Sequence, residues 1–148
     1  MKKIIICLMS LLLFSGAAFA QKGLNCYPVF RGKVIPERQM VMTEVRGDGM
    51  ATYKLSYYRS VRFQVDTLSA RKVAALVEAD ALTADSAETE KTGQLLTYGL
   101  VQLKPMGITR RYLCYQARPT DYHGWMITMI YLEGTATLKD LRSMFEKQ

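Results

Sequence analysis

The apolar pattern of the chain predicts an α+β fold of two layers, with a mostly antiparallel sheet of four to five strands and two to three helices packed on it. Three observations carry this expectation. Three strand-like runs, Leu95 to Leu103, Ile108 to Ala117 and Trp125 to Leu132, are joined by connectors of four and seven residues, short enough to make the runs antiparallel neighbours. The apolar period switches from two to three or four at Ser69, where Ala70, Val73, Ala74 and Val77 line one helical stripe. The chain closes on Leu138, Leu141, Met144 and Phe145, one face of a short terminal helix expected to dock on the sheet.

Taken in order, Leu24 to Phe30 reads as a short helix if Pro28 sits in its first turn, where the missing N–H costs nothing. Gln39 to Arg46 alternates Met40 and Met42 with Val41, Thr43 and Val45, then runs into the turn Gly47-Asp48-Gly49. Tyr57 to Val65 is a strand with Tyr57, Arg59, Val61, Phe63 and Val65 on one face and Tyr58, Ser60, Arg62 and Gln64 on the other. Ser69 or Thr67 can cap the helix that follows. Thr83 to Gly93 is polar and acidic without a period, which reads as a loop. Trp125 to Leu132 is apolar on both faces apart from Thr128, the mark of a central, covered strand. Thr137 with Asp140 three residues later forms a capping signature for the last helix.

Residues 1 to 20 read as a secretory signal peptide. Lys2 and Lys3 precede an apolar run from Ile4 to Phe14, and small residues lead to Ala18-Phe19-Ala20, a peptidase site after a segment too short for a membrane anchor. No lipoprotein pattern surrounds Cys7 or Cys26. The expected product is one domain over 21–148, exported to the periplasm or secreted, without a transmembrane anchor because no later stretch reaches about 18 apolar residues. The signal holds two of the seven net positive charges, so the remaining chain keeps +5. That is too little for a nucleic-acid partner, and it is polarised, with arginines in the strands and five acids between Glu78 and Glu90.

Two cysteines remain after cleavage, Cys26 and Cys114. In an oxidising compartment they can pair if their Cα atoms fall within about 7 Å, or Cys114 can serve its strand as a small hydrophobe. Cys114, His123 and Asp121 supply the types of a thiol nucleophile, base and orienting acid, but a hairpin puts the thiol far below the turn that carries His123. Met40 with Met42 share a face and Met126 with Met129 do not, so a thioether metal site is not expected. Zinc and calcium spacings are missing, as are a phosphate loop, paired carboxylates and a serine elbow. The reading therefore has no catalytic residues, no metal and no cofactor. Arg46-Gly47-Asp48 has the form of an integrin-type adhesion tripeptide, although turn chemistry alone accounts for it.

Gly23-Leu24-Asn25, Tyr58-Arg59-Ser60, Arg111-Tyr112-Leu113 and Ile130-Tyr131-Leu132-Glu133-Gly134, followed by Leu138, Leu141 and Phe145, resemble small exported domain-of-unknown-function families of Gram-negative anaerobes. The resemblance implies an envelope protein and brings no active site with it. Asp66-Thr67-Leu68 and Asp85-Ser86-Ala87 resemble the acceptor of periplasmic O-glycosylation, which would modify Thr67 or Ser86. The functional expectation is a non-catalytic binding module for an anionic glycan, lipid or protein, using Arg59, Arg62, Arg110, Arg111, Tyr58 and Tyr112. The alternative is a small periplasmic hydrolase.

Overall fold

The computed structural model describes residues 23–146, with the backbone alone at 145 and 146. The leader expected over residues 1 to 20 and the packing expected of Phe145 lie outside the described residues. Strands β1 (Met40–Arg46), β2 (Leu55–Val65), β3 (Ser86–Thr92), β4 (Leu95–Met106), β5 (Thr109–Pro119) and β6 (Trp125–Gly134) form one antiparallel sheet in the order β1-β2-β6-β5-β4-β3. Helices α1 (Tyr27–Phe30), α2 (Thr67–Leu82) and α3 (Leu138–Glu146) accompany it, with a 3-10 turn at Asp48–Tyr53.

Six strands replace the expected four to five. The addition is β3, taken from the stretch read as an acidic loop. All seven of its residues are exposed, so no apolar alternation marks it. It is held by its ladder to β4, from Ser86 opposite Gln102 to Thr92 opposite Leu95. Two ion pairs tie this polar edge to the helices: Lys91 to Glu78 of α2 at 3.0 Å, and Glu88 to Arg142 of α3.

The two-layer expectation is also corrected, because the helices cover opposite faces. On one face, which we call the α2 face, Val61, Phe63, Ile127, Met129, Tyr131, Leu113, Tyr115 and Val101 meet Ala70, Val73 and Val77 of α2 and Phe30 of α1. On the other, the α3 face, Leu55, Tyr112 and Leu132 meet Met50 and Leu141. Successive strand residues point to opposite faces, and this is why β6 is apolar on both. Val73, Val77 and Leu141 are fully buried, each worth roughly 1.5 to 3 kcal/mol in apolar area removed from water. The second layer of helix is partial: α3 covers the end of its face near Gly134, and among the described residues no helix covers the other end.

Local chemistry sets these elements. Asp66 caps α2, its carboxylate accepting the Ser69 N–H at 2.8 Å; the cap is thus Asp66 rather than Ser69 or Thr67. That backbone hydrogen bond holds the Asp66 carboxyl below its ordinary range. The α3 cap is reciprocal as the sequence indicates, Thr137 N donating to Asp140 Oδ2 at 2.8 Å and Asp140 N to Thr137 Oγ1 at 3.2 Å. Where β6 ends, the carbonyl of Lys54, itself at φ 58°, accepts from Thr135 N and Ala136 N at 2.9 and 3.0 Å. A Cβ at Gly134 would collide with that carbonyl. Only glycine lets the two backbones meet there.

Candidate functional site

The side chains expected to bind a partner do not converge. Arg59 lies on the α2 face, where its Nη2 donates to Phe30 O at 2.7 Å and its guanidinium stands 5.9 Å from the Phe30 ring centre. Arg111 shares that face, opposite Glu133, and donates from Nε to Lys104 O at 2.9 Å. Arg62 and Arg110 are both exposed and on the α3 face, but at opposite ends. Their β6 partners, Thr128 and Gly134, are six residues apart, roughly 20 Å along the strand. Arg110 donates to Thr135 O at 2.7 Å, bracing the chain leaving β6. Tyr112 is fully buried and donates its hydroxyl to Ala136 O at 2.6 Å. It belongs to the core and not to a contact surface. Tyr58 is half-buried beneath α3.

What the register does assemble is a patch on the uncovered half of the α3 face. Leu100, Cys114 and Ile130 stand side by side across β4, β5 and β6. The next row outward is Glu90, Tyr98, Gln116, Thr128 and Arg62, one residue from each of five adjacent strands. Arg118 follows Gln116 on the same face. The inner row, with Tyr98, Gln116, Thr128 and Arg118, lines a recess of about 450 Å³. With its amide turned so that the oxygen faces Arg118, Gln116 accepts from Arg118 Nε and Nη2 at 3.3 and 3.2 Å. Arg62 and Arg118 have Cα atoms about 12 Å apart by strand spacing. Partial burial pushes the Tyr98 phenol up from its ordinary value. No local sequence pattern assigns a contact role to Arg118, Tyr98, Gln116 or Thr128. Their shared strand parity was the available signal, but it becomes readable only once β4, β5, β6 and β2 are known to be adjacent.

A second recess, of about 680 Å³, lies between α3, the 3-10 turn and the sheet, lined by Met50, Tyr53, Leu55, Leu132, Leu141 and Met144 among others. Among the described residues no carboxylate, lysine or arginine lines it.

The two thiols are free and lie on opposite sides of the sheet, Cys26 in the α2-face core and Cys114 against the α3-face cluster. The disulfide considered between them does not form, because a sheet stands between the two side chains. Burial raises both thiols, Cys26 well above 9 with Asp80 adding to the effect, and Cys114 to about 12. Cys114 sits five residues down the ladder from Pro119, where the turn carrying His123 begins, roughly 17 Å away. No catalytic dyad is assembled. Among the described residues no group of three His, Cys, Asp or Glu side chains could hold a metal ion, and no helix is long and apolar enough to cross a membrane. Of the two glycosylation candidates, Thr67 is the first residue of α2, whereas Ser86 is exposed on β3 with its hydroxyl 3.3 Å from Gln102 Oε1. Arg46 of the adhesion-like tripeptide is paired with Glu44 at 3.3 Å and stands 5.1 Å from the Tyr57 ring centre.

The fold defines an antiparallel α+β protein with helices on both faces of its sheet and a basic, aromatic patch on one. The chain matches the family of unknown function DUF6108 over residues 13–145 and belongs to that family. No curated protein and no solved structure matches it.

Proposed function

We propose that the chain is an exported envelope protein of a Gram-negative anaerobe, cleaved after Ala20, that works as a non-catalytic interaction module. Its partner is anionic: a glycan, a lipid headgroup or an acidic protein surface. The docking site is the uncovered half of the α3 face. One observation carries the reading, namely that Arg118 and Tyr98 line a recess floored by Leu100, Cys114 and Ile130, with Arg62 one strand further on, opposite Thr128. Exposed guanidinium groups supply an attraction that salt screens, and the phenol ring and apolar floor supply contact that salt does not weaken. A hydrolase would need titratable groups converging on a cleft, and a recess on a sheet face whose one charged lining residue is Arg118 favours contact over chemistry. The test is capture from envelope extract at low and high salt, using wild-type protein and Arg62→Ala/Arg118→Ala. Loss of the low-salt capture in the double variant supports the proposal, and identical captured material throughout overturns it.

A further inference from the structure

The two edges of the sheet differ in a way that bears on assembly. β3, at one end of the strand order, is Ser-Ala-Glu-Thr-Glu-Lys-Thr and tied to both helices. β1, at the other end, exposes Val41 at 69%, Met42 at 39% and Val45 at 39%, and among the described residues no strand meets its outer side. Edges of this length are normally blunted by charge, proline or a cover. The charged residues of β1 do not do so. Glu44 accepts from Tyr57 Oη at 2.9 Å and pairs with Arg46, all on the α2 face, so the α3-face side of the edge is Val41, Thr43 and Val45.

The direction of the backbone groups follows from the register. Gly47 N donates inward to Ser56 O at 3.2 Å, and N–H and C=O groups alternate sides along an antiparallel strand. Val41, Thr43 and Val45 therefore bond inward to β2. Met40, Met42, Glu44 and Arg46 point their backbone groups outward.

We propose that β1 pairs with β1 of a second copy of this chain, antiparallel about a two-fold axis at Thr43, joining two six-stranded sheets edge to edge. Centring on Thr43 pairs all seven residues. Val41 faces Val45 of the second copy at both ends, Thr43 faces Thr43, and the outward backbone groups of Met42 and Glu44 bond each other. No two like charges stand directly opposite. Centring on Glu44 would oppose two carboxylates, and centring on Met42 or Val45 would leave only five or three strand residues paired. The same operation on β3 sets Glu88 against Glu90 twice, which like-charge repulsion disfavours. Like-charge repulsion thus sets β3 aside, the match of Val41 to Val45 makes β1 self-complementary, and the number of residues paired selects the register centred on Thr43. An edge-to-edge joint leaves both sheet faces uncovered, so it is independent of the patch formed by Arg62 and Arg118.

The register makes the test specific. Thr43 would form a non-hydrogen-bonded pair with its copy, where Cα atoms approach about 4.5 Å, within disulfide reach. Glu44 would not meet its own copy. The purified protein should sediment as a dimer, and Thr43→Cys should cross-link to a covalent dimer under mild oxidation while Glu44→Cys does not. Val41→Lys/Val45→Lys opposes ammonium groups at both ends and should yield a monomer with an unchanged circular dichroism spectrum. A wild-type protein monomeric at every concentration overturns the proposal. So does a dimer that survives Val41→Lys/Val45→Lys, or cross-linking through Glu44→Cys in place of Thr43→Cys. A monomer that captures a peptide along β1 would assign the edge to another partner and overturn it equally.

Discussion

Asp80, in the last turn of α2, accepts the backbone N–H of Cys26 at 3.0 Å through Oδ2, while its Oδ1 takes Asn25 N at 2.7 Å and Asn25 Nδ2 at 3.0 Å. A carboxylate at the C-terminal end of a helix opposes the helix dipole, and this one is buried, with 2% of its surface exposed. Three N–H donors offset both costs. In return, the carboxylate satisfies the backbone leading into α1 and fixes the N-terminal segment against the α2 face.

Removing that carboxylate leaves the donors of Asn25 and Cys26 without an acceptor in an apolar setting. Asp80→Ala should destabilise the fold by about 3 kcal/mol, the scale of a lost charged hydrogen-bond set with orphaned donors. Asp80→Asn keeps the shape and one acceptor and should cost about half as much. Urea midpoints at constant m-value measure both, and a midpoint unchanged in Asp80→Ala would show that the segment is not anchored here.

The raised thiols and phenols predict an alkaline limit. Cys26 lies well above 9 and Cys114 at about 12, while burial also raises the Tyr115 and Tyr131 phenols above 10. The unfolded chain loses these protons first, so it binds fewer protons than the folded one and stability falls as the pH rises. The contribution is complete below about pH 9 and is lost from there upward. Urea midpoints should be level from pH 7 to 8.5 and decline above it. Native protein at pH 8 should also resist alkylation at both cysteines, whereas urea-unfolded protein reacts at both.

How far the sequence reveals this molecule depends on whether a residue's surroundings repeat along the chain. β2, β5, β6 and α2 were legible because each has a core-facing period. β3 was not, since Glu88, Glu90 and Lys91 are exposed and only pairing with β4 makes them a strand. Tyr112 was misread for the opposite reason. It alternates correctly with Leu113, but at this end of β5 both faces are covered, so alternation does not say which side is wet. The candidate patch was half legible: Arg62 could be assigned to the outer face of its strand, while its neighbours Thr128 and Gln116 depend on strand order, which no local pattern encodes.

Two buried tyrosines three residues apart on β5, on opposite faces of the sheet, should respond oppositely to loss of a hydroxyl. Tyr112 Oη donates to Ala136 O at 2.6 Å, whereas Tyr115 Oη is buried without a partner among the described residues. Tyr112→Phe should cost about 1 kcal/mol and leave a carbonyl unpaired, while Tyr115→Phe should be neutral or stabilising by up to about 1 kcal/mol because it removes an unpaired polar atom. Thermal or urea unfolding of both variants checks the sign, and equal losses would contradict the difference in pairing.

Leu141 is the buried anchor of α3 on Leu132 and Tyr112. Leu141→Ala should cost about 2 to 5 kcal/mol as a large-to-small change in a core. Because α3 is one wall of the 680 Å³ recess, the variant should also bind more of a hydrophobic dye than wild type. An unchanged urea midpoint would mean that α3 is not docked.

The arginines separate structure from contact. Arg59 Nη2 donates to Phe30 O at 2.7 Å beneath α1, so Arg59→Ala should lower stability by about 1 to 2 kcal/mol through the lost charged hydrogen bond and packing. Arg62 and Arg118 are both exposed, so Arg62→Ala/Arg118→Ala should leave stability within about 0.5 kcal/mol of wild type. Binding should sort the other way. The folded fraction of Arg59→Ala should capture the envelope partner as wild type does, and the double variant should lose the salt-sensitive part of that capture. The measurement is capture normalised to folded protein at two salt concentrations, alongside unfolding curves. Loss of capture in Arg59→Ala with full capture in the double variant would move the contact surface to the α2 face, where Arg59 and Arg111 lie, and would end the assignment to the recess beside Arg62 and Arg118.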